Sequence, residues 1–359
     1  MVLFSTNEYL ERIAKVKIAM QQKGIEILVV CDPANMNYLT GYDGWSFYVP
    51  QAVLLIDDQE EPVWIGRMMD LNGAKHTTFL KEENMIGYPE DHIQTAVKHP
   101  MNYMADFIKD SGWGKKSVGV ETDAYYYTAR SDRELRKTLG MDTLLDGNLI
   151  VNWVRLIKSD AEINLMKQAG KIAGNVMATA LSKLEPGVRE CDAVAAVYQA
   201  QMKGTKDFGG DYPAIVPMMP TGEKTSAPHL TWTDEPYKSG QAVNLELAAC
   251  RHRYHCPIAR TAFIGSNPPE KLRTLADITV EGLNRTLSAI KPGMQAQAVE
   301  QVWREHIAKK GFEKESRIGY PTGLNYPPDW GEHTASLRPG DTTILKTNMT
   351  FHMILGMWM

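Results

Sequence analysis

The sequence predicts an α+β protein in which an N-terminal α/β domain is followed by a second, internally repeated domain. Strand patterns alternate with amphipathic helical patterns over the first 155 residues, which is typical of an α/β domain. Further along, the stretch LSKLEPGV at 181–188 returns as LSAIKPGM at 287–294, each time at the end of a long helical pattern. We therefore place the domains at residues 1–155 and 156–359, and we expect the second to consist of two pseudo-symmetric halves with a site between them.

Hydrophobic periodicity gives the elements of the first domain. Helices have apolar residues every three or four positions, and strands are short apolar runs bounded by turn residues. In order, the patterns are a helix NEYLERIAKVKIAMQQKG, a strand IEILVV, two paired strands AVLLID and EPVWIG around an acidic turn, a strand KSVGVE and a helix SDRELRKTLG.

The second domain opens with a long helix. Ser159 is in the position of an N-cap, and Glu162 stands three residues later, which is the spacing of a capping box. The Pro-Gly pair inside each copy of the repeat ends the preceding helix and turns the chain.

Composition excludes several classes of function. A net charge of -4 and a pI near 6.2 give no reason to expect nucleic acid or an anionic membrane as a partner. No apolar run reaches the ~18–20 residues of a membrane span, and the N-terminus does not have the pattern of a signal peptide. The four cysteines are widely spaced and form no CxxC pair, so we expect reduced thiols in a cytoplasmic protein.

Residues that could do chemistry fall in three clusters of the second domain. The first is TSAPHLTW, which contains His229. The second is NLELAACRHRYHCPIART, with Glu246 opening a strand and His252, His255 and Arg260 following it. The third is the C-terminal run, which contributes Tyr320, Trp330, Glu332, His333 and His352.

These motifs resemble the creatinase, prolidase and aminopeptidase P family. The resemblance rests on VRLIKSDAEINLMKQAGKIA, SAPH, KSGQAVNLELAA with ARTAFIG, and LRPGDTTILKTNMTFHMILG, in that order and over nearly the whole chain. It implies a creatinase-type N-terminal domain and a C-terminal pseudo-symmetric "pita-bread" domain, which accounts for the internal repeat.

Metal-dependent members of the family hold two metal ions with five ligands, of which four positions can be assigned here. The first Asp corresponds to Glu246, the second to Pro257, the His of GHGIGL to Tyr320, and the Glu of EPG to Ile354. The last Glu would lie in a hairpin beyond Met359. A dinuclear site needs several converging oxygen ligands or imidazoles. Only one carboxylate remains, so the resemblance implies no metal and no other cofactor.

His229 matches the histidine that the metal-free creatinase branch uses as general acid and base. The closer resemblance is to the metal-free member that opens the cyclic amidine ring of ectoine, a homodimer in the cytoplasm of salt-adapted bacteria. It implies hydrolysis of ectoine and of 5-hydroxyectoine to N-acetyl-2,4-diaminobutyrate, on which a deacetylase would act next. Alternatives are another small amidine or guanidine as substrate, as with creatine, or an inactive scaffold of the same fold.

An amidinium is a planar cation with two donors, so a carboxylate is its natural partner. Glu246 would either attack the amidine carbon or act as base for a water molecule, and His229 would carry protons. We expect the remaining candidates to bind the substrate, its carboxylate included: His255, Arg260, Tyr320, Trp330, Glu332, His333 and His352.

The aromatic segment NMNYLTGYDGWSFYVPQ supplies a further group of candidates. In the family the corresponding segment of one subunit often reaches toward its partner's site. We expect Tyr42, Trp45 and Phe47 to form an apolar lid there, with a dimer contact or ordinary strand packing as the alternative.

Overall fold

The structure is a computed structural model that describes residues 2–358, and it divides into two compact units, Met1–Arg155 and Leu156–Met359. Both units combine helices with sheets, so the predicted fold class is confirmed. No helix among the described residues is long and apolar enough to cross a membrane. The final hairpin expected beyond Met359 lies outside the described residues.

The first unit is built on a six-stranded mixed sheet with the order β4-β3-β2-β1-β5-β6. Its helices are α1 (Thr6–Gln22), α2 (Pro33–Thr40), α3 (Leu71–Thr77), α4 (Pro100–Asp110), α5 (Ala129–Leu139) and α6 (Ile150–Arg155). Its strands are β1 (Ile27–Val30), β2 (Ala52–Ile56), β3 (Val63–Arg67), β4 (Met85–Tyr88), β5 (Val118–Val120) and β6 (Leu145–Asp146). The neighbours β2 and β3 are antiparallel, as the acidic turn between them predicts, whereas β1 and β5 are parallel.

The amphipathic pattern of α1 explains how it packs. Its buried apolar residues Tyr9, Ile13, Val16 and Met20 recur every three or four positions and therefore share one face. Ser5 caps the helix by accepting a hydrogen bond from the Glu8 amide. The hydrophobic core beside the sheet is formed by β1, β2, β3 and β5 together with apolar residues of α4 and α5.

Up to Trp358, the last residue described, the second unit contains four long helices and two antiparallel strand pairs. Its elements are α7 (Asp160–Ser182), α8 (Glu190–Lys203), β7 (Ala242–Arg251), β8 (Tyr254–Phe263), α9 (Glu270–Ala289), α10 (Ala296–Ala308), β9 (Gly319–Pro321) and β10 (Phe351–Met353). The capping box of α7 is confirmed: the Ser159 hydroxyl accepts from the Glu162 amide at 3.2 Å, and the Glu162 carboxylate accepts from the Ser159 amide at 2.8 Å.

The internal repeat is present in the backbone. Gly187 and Gly293, the glycines of the two Pro-Gly pairs, both have φ of 92°. The Gly187 amide donates to the Tyr237 carbonyl at 3.0 Å, and the Gly293 amide donates to the Leu345 carbonyl at 2.8 Å. Each copy thus joins two helices (α7 to α8, α9 to α10) through the same turn and fastens that turn to a later segment in the same way.

Candidate active site

Glu246 is positioned by the long β7–β8 hairpin. Side chains of a strand alternate between its two faces, and Leu245 and Leu247 point into the core that also contains Ile172 of α7. Glu246 therefore emerges on the opposite face, together with Ala248. The backbone there is held on both sides, because Glu246 pairs with Ala259 of β8 and forms an isolated bridge with Met218.

The Glu246 carboxylate is partly buried and unpaired. It makes no hydrogen bond or ion pair with any residue between 2 and 358. Burial raises its pKa to about 7, because removing a carboxylate from water disfavours the charged form. A carboxylate that can gain or lose a proton near neutral pH is suited to act as a base or a nucleophile.

A second group of side chains lies close to Glu246, and we call it the Tyr320 cluster: Tyr320, Trp330 and His352. Cross-strand pairing of β9 with β10 sets Tyr320 opposite His352. The Tyr320 hydroxyl accepts from the Trp330 indole N–H at 2.8 Å and lies 3.0 Å from His352 Nδ1. Tyr320 also packs on the small apolar cluster that contains Ala248, the neighbour of Glu246 on the same face of β7.

Electrostatics keep the Tyr320 cluster uncharged. Burial raises the pKa of Tyr320, the Trp330 hydrogen bond opposes that rise, and the charge of Glu246 adds to it. Burial lowers the pKa of His352 to about 4, and the nearby Arg317 contributes to that shift. His352 Nε2 is buried without a partner among the described residues. The cluster therefore presents a neutral phenol and a neutral imidazole beside a carboxylate.

Two of the predicted substrate-binding residues, His255 and Glu332, are already bonded to other groups of the protein. Both ring nitrogens of His255 are occupied: Nε2 accepts from the Ala214 amide at 2.8 Å and Nδ1 lies 2.9 Å from the Arg253 carbonyl. Burial lowers its pKa to about 3. Both carboxylate oxygens of Glu332 accept from Lys158 Nζ, at 2.8 and 2.7 Å, and the two side chains are each only 1% exposed.

Three more of the predicted binding residues are placed differently from expectation. Arg260 pairs with Leu245 in the hairpin register, so its side chain leaves on the face opposite Glu246. His333 Nε2 lies 2.7 Å from an Asp329 carboxylate oxygen. Trp330 is fully buried and supports Tyr320 through its only N–H, so it does not form an open wall for a ligand.

The aromatic segment of the first unit also differs from the predicted lid. Tyr42 is 3% exposed, its ring packs on Trp64, and its hydroxyl is bonded to Ser46. Phe47 is buried as well, so both belong to the packing of the unit. Of the three predicted lid residues, Trp45 alone is exposed, at 59%.

His229 is on an exposed loop just after the 3-10 turn Gly222–Ser226, and the structure does not bring it into hydrogen-bond contact with Glu246. The loop is tethered to the site strand nearby. Asn244, on the Glu246 face of β7, donates from its side chain to the Thr225 carbonyl at 2.9 Å.

Arg317 is a residue of this region that the sequence reasoning missed. Its guanidinium carbon lies 4.3 Å from the centroid of the Tyr320 ring. The available signal was its place three residues before Tyr320, the position that corresponds to the family's histidine ligand.

The donor set of the site does not fit a dinuclear metal centre. Glu246 is the one carboxylate among the four assignable ligand positions, since Pro257, Tyr320 and Ile354 occupy the others. Among residues 2–358 there is no group of three or more His, Cys, Asp or Glu side chains that could hold a metal ion.

Comparisons with known proteins agree with this architecture. Residues 12–157 match the creatinase/prolidase N-terminal domain, and residues 164–359 match metallopeptidase family M24. The chain is 44% identical to ectoine hydrolase from Halomonas elongata, over 99% of this chain and 90% of that protein. It is 43% identical to the hydrolase/peptidase y4tM of Sinorhizobium fredii, over 99% of this chain and 91% of that protein.

Solved structures with this fold include the prolidase from Pyrococcus horikoshii OT3. Its TM-score is 0.78 at 21% identity, covering 95% of this chain and 89% of that one, a likeness that establishes the fold alone. The two family matches and the 44% identical relative show that the chain belongs to metallopeptidase family M24 and carries the creatinase/prolidase N-terminal domain.

Proposed function

We propose that this protein hydrolyses the cyclic amidine ring of ectoine, and of 5-hydroxyectoine, to N-acetyl-2,4-diaminobutyrate without a metal ion. The observation that carries the proposal is Glu246, a partly buried carboxylate that pairs with no residue in the range 2–358 and whose pKa burial raises to about 7. The 44% identity to an ectoine hydrolase supports the choice of substrate.

The chemistry of the substrate fits a lone carboxylate. The amidinium of ectoine is a planar cation whose two N–H groups can donate to the two oxygens of one carboxylate. In a site largely removed from water this pairing is stronger than in solution. Glu246 therefore binds the ring with its reactive carbon close to a carboxylate oxygen.

Hydrolysis by the first route needs one water molecule and one base. Glu246 takes a proton from water while the hydroxide adds to the amidine carbon, which becomes tetrahedral and neutral. The proton on Glu246 passes to one ring nitrogen, whose C–N bond breaks. The hydroxyl on the carbon becomes an amide carbonyl, and its proton converts the departing amine into an ammonium group.

A covalent route is equally balanced. A Glu246 oxygen bonds to the amidine carbon, one ring C–N bond breaks as its nitrogen takes a proton from protonated His229, and the opened chain stays on Glu246 as an imidate. Water then adds to the imidate carbon, the bond to the Glu246 oxygen breaks to leave an amide, and the two water protons go to His229 and to the departed amine. In either route the hydroxyl of Tyr320 would donate a hydrogen bond to the intermediate while it accepts from Trp330 Nε1 and His352 Nδ1. Intact-protein mass spectrometry of enzyme quenched during turnover distinguishes the routes, because only the covalent one adds mass to the protein.

Metal independence is supported by the donor chemistry. A proline and an isoleucine, at positions 257 and 354, supply no side-chain donor, and the Tyr320 phenol is kept neutral by burial. We place the enzyme in the cytoplasm as a homodimer, on the basis of the resemblance and of the widely spaced free cysteines.

The test is turnover of ectoine with and without a chelator, followed by NMR detection of the acetylated product. We expect the activity to be unchanged by the chelator. Glu246→Gln should lower kcat by at least about 100-fold, since it removes both base and nucleophile. Glu270→Gln, on an exposed residue in the first turn of α9, is the matched control and should behave like wild type.

Three results would contradict parts of the proposal. Strict metal dependence would refute the interpretation of the donor set. Turnover of creatine, but not of ectoine, would assign a different substrate. Failure to turn over or bind any amidine would favour an inactive scaffold.

A further inference from the structure

The Arg317 guanidinium is a cation next to the proposed site, and the charge of Asp329 favours its protonated form without pairing with it. It stacks over the ring of Tyr320 at 4.3 Å. It forms no hydrogen bond or ion pair with any residue in the described range 2–358. Tyr320 in turn packs on the apolar cluster that contains Ala248, the neighbour of Glu246 on the same face of β7, so the ring of Tyr320 lies between the guanidinium and the strand that carries the carboxylate.

Four other candidates for holding an anion near Glu246 are engaged, uncharged or directed to the other face of the hairpin. His352 is neutral at pH 7 and bonded to Tyr320, and His255 has both nitrogens occupied by backbone groups. His333 is paired with Asp329. Arg260 leaves the hairpin on the other face.

We propose that Arg317 binds the carboxylate of the substrate and thereby restricts the enzyme to small amidines that bear a carboxylate. This inference rests on the proposed function and adds the residue that determines specificity. A guanidinium has a fork of N–H donors that matches a carboxylate, and stacking on an aromatic ring fixes the orientation of that fork.

The arrangement complements a zwitterion such as ectoine. Glu246 binds the amidinium and Arg317 binds the carboxylate, with the Tyr320 cluster beside them. Binding energy from a group that does not react then positions the one that does. A cyclic amidine without a carboxylate lacks this second anchor and binds in several orientations.

The test compares two substrates in three variants. The substrates are ectoine and the same methylated tetrahydropyrimidine ring without its carboxylate. For Arg317→Met, which keeps a long unbranched side chain, we expect kcat/KM for ectoine to fall about 100-fold, mainly through KM, as for loss of a charge-assisted bond. For the ring without a carboxylate we expect no change, so the wild-type preference for ectoine disappears.

Two further variants sharpen the result. Arg317→Lys keeps the charge but not the fork, and should restore only part of the preference. Arg273→Met removes an exposed arginine of α9 and serves as the matched control, with no effect on either substrate. Thermal unfolding of each variant establishes that it is folded.

The outcomes separate this inference from the function on which it rests. If Arg317→Met leaves ectoine turnover unchanged, or lowers turnover of both substrates equally, the carboxylate anchor is refuted while ectoine hydrolysis stands. If the wild-type protein neither binds nor turns over ectoine by calorimetry and NMR, both proposals are refuted together.

Discussion

The burial of the Glu246 carboxylate lowers the stability of the folded protein and at the same time suits the side chain to proton transfer. A carboxylate held away from water without a hydrogen-bond donor favours its neutral form, so burial raises its pKa to about 7. Both protonation states are then populated at neutral pH. A base is most effective when its pKa lies near the working pH, so the environment that destabilises the charged side chain also suits it to proton transfer.

This conflict predicts a stability difference that depends on pH. The folded-state pKa of Glu246 lies above its ordinary value of 4.5, so its favourable contribution is fully present below about pH 4.5 and is lost as the pH rises through 7. Glu246→Gln keeps the shape but cannot ionise. At pH 8.5 we expect the variant to be more stable than wild type by about 1–3 kcal/mol, a range discounted for partial exposure.

Urea denaturation at pH 8.5 and pH 4.5 measures this difference, which should be large at the first pH and nearly absent at the second. The Glu270→Gln control should give equal stabilities at both. A Glu246→Gln effect that is the same at both pH values would show that ionisation of this carboxylate is not its cause.

At the scale of residues, the sequence singled out Glu246 as a candidate but did not indicate the contacts that its neighbours make. Glu246 could be found because a lone carboxylate interrupts an apolar strand. His255 and Glu332 could not be assigned, since their partners, Ala214 and Lys158, are 41 and 174 positions away in the chain. Arg317 was missed because its stacking on Tyr320 depends on the bend of the backbone at Ile318, just before β9.

At the scale of elements, the two Pro-Gly turns show that the two copies of the repeated sequence adopt the same backbone conformation. Gly187 and Gly293 both lie in the left-handed region, with φ of 92°, and a Cβ added at either position would meet no atom within 4 Å. Glycine is therefore needed at these turns for backbone conformation and not for space.

Replacing either glycine by alanine should therefore destabilise the protein through the backbone alone. We expect Gly187→Ala and Gly293→Ala each to cost about 1–2 kcal/mol in the free energy of unfolding, as an L-residue pays to adopt this conformation. Gly174→Ala, in the exposed middle of α7 where a Cβ also meets nothing, is a control of opposite sign and should stabilise by about 1 kcal/mol. If urea denaturation gave the same change in the free energy of unfolding at all three positions, backbone conformation would not be the reason for glycine at the two turns.

Long elements with strong local signals were predictable, and short ones were not. The start of helix α7 could be predicted from its capping box, and the pairing of β2 with β3 could be predicted from the acidic turn between them. The strands β9 and β10 have three residues each, too few for periodicity, and they are defined by pairing with a segment about thirty residues away. Tyr320 and His352 meet only through that pairing.

At the scale of the whole molecule, one buried ion pair links distant parts of the second unit. Lys158 precedes α7 at the start of that unit, and its backbone amide also donates to the Asn348 carbonyl. Its ammonium group is buried against Glu332, between β9 and β10 in sequence. The pair thus connects the beginning of the unit to its C-terminal segment. Local sequence patterns do not predict this contact, because the two residues are far apart in the chain.

This ion pair should respond differently to single and double replacement. Removing one partner leaves an unpaired charge in the interior, so we expect Lys158→Met or Glu332→Leu alone to lower the free energy of unfolding by about 3–5 kcal/mol. Replacing both removes both charges, so the double variant should recover most of that loss. Urea denaturation of the four proteins measures the coupling between the two positions as a double-mutant cycle.

The same four proteins decide whether Glu332 has any role beyond this pair. Both of its carboxylate oxygens are bonded to Lys158, so we expect the folded double variant to retain ectoine turnover within about threefold of wild type, in line with a residue that contacts no substrate. If the double variant is as stable as wild type but inactive, Glu332 reaches the substrate after all, and the original prediction from the sequence is restored. If the double variant is no more stable than the single ones, the two side chains do not stabilise the unit through their mutual attraction.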